Sequence, residues 1–194
     1  QWITGPDARA DVHRRRSRAD AIVVGTGTLL ADDPALTART TDGSLYDHQP
    51  MPVVLGVRPV PADAAVRRHP RALVRHDGRD LVALLADLRD RGVQRVFVEG
   101  GPTIAGAFLR AGLVDEILAY IAPTLLGGGM PALGDIGVHT IDEQMRLRVA
   151  SVEQVGDDLL VVAGPRPSTG SGTGATGSGT GKTRSGAAVP GGDD

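Results

Sequence analysis

The stretch VFVEGGPTIAGAF, residues 96–108, joins a short apolar run to a helix-forming segment through one carboxylate, two glycines and a proline. Val96 to Val98 have the pattern of a buried strand, and Pro102 suits the first position of a helix, where its missing N–H costs nothing. The start of such a helix carries unpaired N–H groups and a partial positive charge, so the turn suits an anion such as a phosphate. The alternative is a tight turn between strand and helix that binds nothing.

Helical and strand patterns alternate on both sides of this stretch, up to Gly164. Helices are predicted over 4–19, 80–91 and 103–111, and strands over 21–25, 53–57, 73–74, 95–98, 114–122, 146–155 and 158–163. Thr4 is expected to cap the first helix, and Gly156 with Asp157 to form the turn of a final hairpin. This order predicts one α/β domain with a mainly parallel central sheet, flanked by helices and closed by a C-terminal antiparallel hairpin.

Composition and charge narrow the classes of function. The 194-residue chain is 41% hydrophobic, which is enough for one sizeable core. Its formal net charge of -2 argues against nucleic acid as the main partner, and the lack of cysteine excludes disulfides, a thiolate nucleophile and cysteine-held zinc. No apolar run reaches the length of a membrane span, so no membrane partner is expected. A cytoplasmic protein is consistent with these features.

The five histidines show no spacing typical of metal ligands, so no metal is expected. We interpret all five as surface or loop residues: His13, His48, His69, His76 and His139.

Residues 165–194 are rich in glycine, serine and threonine and contain almost nothing apolar to bury. We therefore expect a folded domain over residues 1–164 and a disordered tail after it. The tail segment TGSGTGKT is close to a phosphate-binding P-loop, but Thr176 stands where the first glycine belongs and neither a strand nor a helix flanks it. Lys182, in this tail, is the only lysine of the chain, which excludes a catalytic lysine in the folded part.

A second glycine-rich turn, GTGTLLADDP at residues 25–34, also follows a predicted strand. It lacks the dinucleotide-binding pattern G-x-G-x-x-G, because Leu30 occupies the last glycine position. Thr26 and Thr28 still offer hydroxyls to a phosphate or a ribose, with helix capping as the alternative role. Because strand-to-helix turns of such a sheet meet at its carboxyl edge, we expect this turn and EGGPT to border one ligand site.

Two blocks of the sequence resemble one family when they are taken together. The segments W-I-T and A-D-D-P-x-L-T-x-R, within residues 2–39, and V-E-G-G-P-T, at residues 98–103, are similar to the reductase domain of the bifunctional riboflavin-biosynthesis deaminase/reductases. The similarity covers most of residues 1–164 and implies a dihydrofolate-reductase-like fold. It also implies NADPH-dependent reduction of 5-amino-6-(5-phosphoribosylamino)uracil, with hydride delivered to C1′ of the ring-opened ribosylamine, so that a ribityl chain results.

The resemblance assigns the nucleotide cofactor to two sets of positions. Trp2, Thr28 and Asp32 would contact NADP, and the first turns of the helix after Glu99 would hold its phosphates. The residues of that second set are Gly101, Pro102, Thr103, Ile104, Ala105, Gly106 and Ala107. Asp32 would also orient the nicotinamide end or relay a proton, while Asp33 is expected to cap local structure. For Trp2 the alternative is a place in the core.

The same resemblance implies substrate contacts at Arg16, Leu36, Arg39 and Glu99. Arginine is permanently charged and can hold a phosphate through two parallel hydrogen bonds, which suits Arg16 and Arg39 to the 5-phosphate of the substrate. Glu99 can accept hydrogen bonds from the N–H groups of a uracil ring, and we count it with Asp32 as catalytic. The alternatives are a solvated basic face for the arginines and a surface salt bridge for Glu99.

The final hairpin provides a physical reason for the homodimer that the resemblance implies. The residues from Leu159 to Val162 form an apolar row, and natural proteins rarely leave such a sheet edge bare. We expect a symmetric dimer to cover it, with coverage by the family's first strand as the alternative.

Departures from the family pattern leave other functions open. The family's first strand, which ends in an S-L-D-G-type sequence, would precede Gln1 and is missing, so we expect either a fragment of a longer protein or a true start at Gln1. Gly56 and Val57 stand where the family often carries D-S, and the cysteine-containing deaminase half is absent. The alternatives to the reductase are a non-catalytic nucleotide-binding or dimerisation remnant, and a related reductase with another pyrimidine or pterin-like substrate.

Overall fold

The computed structural model describes residues 3–128 and 131–166. Its helices are α1 (Pro6–Arg16), α2 (Thr26–Asp32), α3 (Leu81–Asp90) and α4 (Pro102–Arg110). Its strands are β1 (Ala21–Gly25), β2 (Met51–Leu55), β3 (Val74–His76), β4 (Val96–Val98), β5 (Ile117–Ile121), β6 (Leu147–Val155) and β7 (Asp158–Pro165). Short 3-10 turns lie at Ala65–Arg68 and Ile141–Glu143. Residues 167–194, which make up most of the predicted tail, lie outside the described residues, and so does Trp2.

The strands form two sheets. A parallel sheet has the order β3-β2-β1-β4, and an antiparallel sheet has the order β5-β7-β6. In the parallel sheet, Val23 of β1 lies beside Val53 of β2 and Val98 of β4. The predicted α/β fold with a parallel central sheet and a C-terminal antiparallel hairpin is confirmed, and β5 is a third antiparallel strand beside that hairpin.

The core lies on both faces of the parallel sheet, because β1 is buried at every position and β2 at all positions after its first. The buried residues on one face are Ala21, Val23, Val53, Leu55, Leu84, Leu88, Val93 and Phe108. Those on the other face are Ile22, Val24, Leu29, Leu36, Val54, Val60, Ala64 and Val66. Alternation of side chains along each strand produces this division, and a strand covered on both faces needs the continuous apolar run that the sequence shows.

α1 is attached to the antiparallel sheet through a buried carboxylate. The hydroxyl of Tyr120 in β5 donates to Oδ2 of Asp11 at 2.5 Å, and Arg14 and Arg15 donate to the same carboxylate. Burial would raise the pKa of Asp11, but the hydrogen bonds from Tyr120 and Arg15 and the two positive charges lower it below its ordinary value. This network fixes α1 against β5 and, with it, Arg16 at the end of the helix.

The ends of α1 differ from the prediction. The helix begins after Gly5 and not after a Thr4 cap, since the Gly5 N–H donates to Oδ2 of Asp158 in β7 at 2.7 Å. It ends at Arg16, before the predicted residue 19, because the backbone N–H groups of Asp20 and Ala21 already donate to the carbonyl of Arg95, the residue before β4.

Two other segments also depart from the prediction. Residues 26–32, which were predicted as a turn because of the glycines at their start, form the short helix α2, and Asp33 caps its end in a left-handed conformation with φ 41°. β2 begins and ends two residues before the predicted 53–57, since Met51 lies opposite Ala21 at the start of β1. None of the described helices has the length and apolar character needed to cross a bilayer.

The expected apolar edge in the final hairpin is also corrected. β7 is the middle strand of its sheet, and Leu160 and Val162 are buried in it at 1% and 9% exposure. The edge strands of this sheet are β5 and β6, and on β6 Val149 and Val152 are 56% and 59% exposed. β7 also continues to Pro165, one residue into the predicted tail.

Candidate active site at the carboxyl edge of the parallel sheet

Arg16 and Glu99 form a two-point ion pair at the end of β4. Nε of Arg16 donates to Oε1 of Glu99 at 2.6 Å, and Nη2 donates to Oε2 at 2.5 Å. The two side chains are only 17% and 20% exposed, and Nη1 of Arg16 donates to the Thr37 carbonyl at 3.1 Å. Such a fork-to-fork contact holds both groups in one plane, so the orientation of the Glu99 carboxylate is set by α1.

The two glycine-rich turns meet beside this pair. The N–H of Gly101, just before α4, donates to Oγ1 of Thr28 in α2 at 3.3 Å. The Glu99 N–H donates to the Val23 carbonyl, which extends the pairing of β4 with β1 up to the turn. The predicted proximity of EGGPT and residues 25–34 is therefore present in the fold.

Arg39 lies in an exposed loop next to the Arg16 contact. Its Nε donates to Oγ1 of Thr37 at 3.1 Å and its Nη1 to the Gly43 carbonyl at 2.7 Å. Since Arg16 also contacts Thr37, both arginines that were predicted to bind substrate converge on one short segment, residues 37–39. Arg39 is the more exposed of the two, so its guanidinium is the one open to an incoming anion.

The family of the chain follows from comparison with known proteins. A family model, described as the RibD C-terminal domain, matches residues 1–161. The chain belongs to this family. The family and the dihydrofolate-reductase-like fold expected from the sequence are thereby confirmed.

Similar proteins are found among curated sequences and among solved structures. The riboflavin biosynthesis protein RibD of Mycobacterium tuberculosis is 51% identical over 164 residues, which cover 83% of this chain and 47% of that protein. RibD of Escherichia coli K12 is 35% identical over 192 residues, covering 82% and 52%. A structure of Acinetobacter baumannii RibD, form 1, matches with a TM-score of 0.75 and 29% identity, covering 86% of this chain and 52% of that one. The chain spans about half the length of the curated relatives it matches.

Leu36 of this RibD C-terminal domain has an unusual conformation for its residue type. Its φ is 56°, in the left-handed region that favours glycine, and its side chain is 1% exposed within the core. A non-glycine residue held in this region costs on the order of 1 kcal/mol or more, which the surrounding packing must offset. Because the side chain is buried, only the backbone of Leu36 is available to contact a ligand.

The helix predicted to hold the cofactor phosphates has an open beginning and a covered middle. A Cβ on Gly101 would meet only Oγ1 of Thr28, at 3.5 Å, among the described residues, and the φ of -62° suits any residue. By contrast, Ile104 packs into the core, and Gly106 is buried where the Asp135 carbonyl would lie 3.1 Å from an added Cβ. The glycine at 106 is thus explained by packing, and the open space lies at Gly101, just before α4.

Of the remaining predicted cofactor residues, the structure describes Asp32. Asp32 is exposed at the end of α2, and it forms no hydrogen bond or ion pair with the residues that the structure describes. The carboxylate of the neighbouring Asp33 accepts a hydrogen bond from the Ala65 N–H at 2.8 Å, so its partner lies 32 residues away and not in the local turn that it was expected to cap. Trp2 lies outside the described residues.

His13, which was predicted to be a surface or loop residue, contacts a predicted site residue. It is half-buried on α1, and its Nδ1 accepts a hydrogen bond from the backbone N–H of Arg39 at 3.2 Å. Its position one helical turn before Arg16 was the available signal, because residues so spaced share a helix face. His69, which does lie in a loop, is buried rather than exposed.

Proposed function

We propose that the chain catalyses the NADPH-dependent reduction of 5-amino-6-(5-phosphoribosylamino)uracil to its ribitylamino product. The observation that carries the proposal is the Arg16–Glu99 pair, which lies beside the Thr28–Gly101 contact in a chain of the RibD C-terminal domain family. An oriented carboxylate suits a ring with N–H donors, and the adjacent glycine turn suits a nucleotide. We further propose the cytoplasm as the location, which a cysteine-free composition is consistent with.

The first turn of α4 fits a nucleotide phosphate. Gly101 leaves open the space that a side chain would fill, although the backbone there does not require glycine. Backbone N–H groups at a helix start favour negative charge, and the Thr28 hydroxyl lies beside the same space. Pro102 and Thr103 would complete this contact. When bound, NADPH supplies the hydride for the reduction.

On the substrate side, Glu99 would bind the pyrimidine. Its two oxygens each accept one hydrogen bond from Arg16 and retain further lone pairs for ring N–H donors. We therefore propose that Arg16 chiefly orients Glu99, and that Arg39 is the main contact for the phosphate. The backbone of Leu36 would border the same substrate.

Proton supply completes the chemistry assigned to this chain. Reduction of the ring-opened substrate places a hydride on C1′ and a proton on the attached nitrogen. We propose that Asp32 relays this proton, or orients the nicotinamide end, from its exposed place at the end of α2.

We also propose a homodimer that packs on β6. This outer strand has exposed apolar side chains, among them Val149 and Val152, and a single long strand exposed in this way is a surface that natural sheets cover. A two-fold axis would bring two copies of the strand together.

The direct test is oxidation of NADPH, followed by its absorbance, with the phosphoribosylamino-pyrimidine as substrate. We expect turnover that depends on both compounds, and a much higher KM for an analogue without the phosphate. The assay should include this chain and any N-terminally longer form that its gene encodes. Binding of NADPH without turnover in every form would contradict the proposed reaction and favour a nucleotide-binding remnant.

A further inference from the structure

Residues 37–39 are attached to α1 by two hydrogen bonds. Arg16 donates from Nη1 to the Thr37 carbonyl at 3.1 Å, and the Arg39 N–H donates to Nδ1 of His13 at 3.2 Å. His13 and Arg16 are one helical turn apart, so the two bonds fix both ends of this three-residue segment on a single helix face. The segment carries the cation that the proposed function assigns to the substrate phosphate.

The contact at His13 requires a neutral imidazole. Nδ1 can accept the Arg39 N–H only when it carries no proton, which places the ring proton on Nε2. In an imidazolium, Nδ1 carries a proton and is itself a donor. It would then face the Arg39 N–H, which is also a donor, and the hydrogen bond would be lost. The imidazolium would also add a positive charge to a site that already contains two arginines.

The surroundings of His13 keep the ring neutral near neutral pH. Burial lowers the pKa of His13 below its ordinary value of 6.5, and the positive charges of Arg16 on α1 and Arg39 on the loop lower it further. Glu99, after β4, and a hydrogen bond involving the Thr37 backbone act in the opposite direction and only partly compensate. Protonation therefore occurs on the acid side of pH 6.5.

A shift of the Arg39 backbone would move its guanidinium. That group is held by the Thr37 hydroxyl and the Gly43 carbonyl of its own loop, and by no contact to α1 among the described residues. We propose that His13 is a positioning residue that, in its neutral form, holds Arg39 where it can bind the phosphate of the substrate. This inference rests on the proposed function, because it assumes that Arg39 meets that phosphate.

We expect the fold to persist when the His13 contact is lost. Between the two attachment points, the Ala38 N–H donates to Oε1 of Gln49 at 2.9 Å, and Nε2 of Gln49 donates to the Ala38 carbonyl at 2.8 Å. This buried two-point contact retains the segment in the core when residue 13 changes. Variants at His13 are thus expected to alter the position of Arg39 without unfolding the domain.

The test compares His13→Asn with His13→Leu. The Oδ1 atom of asparagine can replace Nδ1 as an acceptor but does not titrate, whereas leucine removes the acceptor. His48→Leu is the matched control, because His48 contacts the Ala19 carbonyl at the other end of β1. At about pH 8 we expect His13→Leu to raise KM for the phosphorylated substrate roughly fivefold at nearly unchanged kcat, while His13→Asn and His48→Leu stay within about twofold of the parent.

The pH dependence gives a second readout that a structural role would not change. As the pH falls from about 8 through the lowered pKa of His13, KM of the parent should rise by up to roughly fivefold more than KM of His13→Asn, because only the parent loses its acceptor by protonation. The substrate phosphate titrates equally in both proteins, so the difference between them reports on His13. Equal losses in the asparagine and leucine variants, or equal pH profiles for the parent and His13→Asn, would overturn the inference.

A measurement without turnover separates this inference from the proposed function. Long-range proton–nitrogen NMR spectra should show His13 with a proton on Nε2 and none on Nδ1 near neutral pH, and the Arg39 amide signal should shift as His13 titrates. Any other tautomer overturns the inference. An inactive parent with the expected spectra overturns the proposed reaction, and with it the substrate role of His13.

Discussion

Arg16 and Glu99, 83 residues apart in the chain, share two hydrogen bonds of 2.6 and 2.5 Å in a setting where each side chain is about four-fifths buried. Both residues were predicted to contact substrate, and each now has the other as its principal partner. A lysine could not reproduce this geometry, since its single ammonium group cannot match the two oxygens of a carboxylate in one plane.

Arg16→Lys should therefore preserve the charge but disorder Glu99. We expect kcat/KM for the pyrimidine to fall roughly 10- to 100-fold, and the free energy of unfolding to fall by about 1–2 kcal/mol. Arg18→Lys is the control, because the Arg18 side chain is exposed just beyond α1. Steady-state kinetics and urea unfolding check both effects, and a loss of similar size in the Arg18 variant would contradict a specific role.

Gly101→Ala should weaken cofactor binding while the fold stays intact. The added Cβ would meet only Thr28, at an ordinary 3.5 Å, and the backbone conformation suits alanine. The same Cβ would occupy the space proposed for a phosphate, so we expect the Kd for NADPH to rise at least about tenfold. Fluorescence titration measures this change, and an unaltered Kd would exclude the proposed phosphate contact.

Gly100→Ala, unlike Gly101→Ala, should destabilise the fold. A Cβ at this position would lie 2.4 Å from Cβ of Ile104 in α4, so the helix must move. We expect the free energy of unfolding to drop by about 1–3 kcal/mol, equivalent to a Tm lower by about 2–4 °C for each kcal/mol. Thermal unfolding monitored by circular dichroism checks it. Equal Tm values for the alanine variants at 100 and 101 would contradict this packing.

Tyr120→Phe should destabilise the domain in a pH-dependent way. The lost hydroxyl donates to Asp11, a charged and nearly inaccessible acceptor, so we expect a loss of about 1–3 kcal/mol near neutral pH. Because the folded pKa of Asp11 is below its ordinary 3.8, the stabilisation is complete above that value and is lost as the pH falls through the lowered pKa. The difference between parent and variant should accordingly shrink below about pH 4. Urea unfolding across pH tests this, with Tyr46→Phe as control.

Val152→Lys should separate the proposed dimer. A charge in the middle of the outer strand β6 would be buried by a copy packed on it, which is unfavourable without a partner of opposite charge. We expect light scattering at about tens of micromolar to report a dimer for the parent and a monomer for the variant. Val57→Lys is the control at another exposed valine, outside β6. A monomeric parent would reject the dimer.

Much of the fold could be predicted because its signals are local. The strand patterns of β1 and β4, the Pro102 start of α4 and the Gly156 hairpin turn each depend on residues within one element or one turn. α2 was missed for the same reason, since two glycines at its start outweigh a short helical pattern when only neighbours are considered.

The residue types of the site could be predicted from the sequence better than the contacts between those residues. The meeting of Thr28 with Gly101 followed from parallel strands that end at one edge. The conformation of Leu36 could not be predicted, because a left-handed backbone and a buried side chain depend on what surrounds the residue in space. His13 was missed because its partner lies on a loop whose path the sequence does not specify.

The sequence alone determined the family, the α/β fold class and most of the helices and strands, because propensity, turn chemistry and motif spacing are properties of short segments. Only the tertiary structure decided that Arg16 orients Glu99 and that His13 holds the backbone of Arg39. These contacts depend on how α1 is fixed against β5 by Asp11 and Tyr120, which lie 109 residues apart. No local sequence pattern specifies a contact between residues so far apart in the chain. The polar side chains therefore find their partners only when the packed elements bring them together.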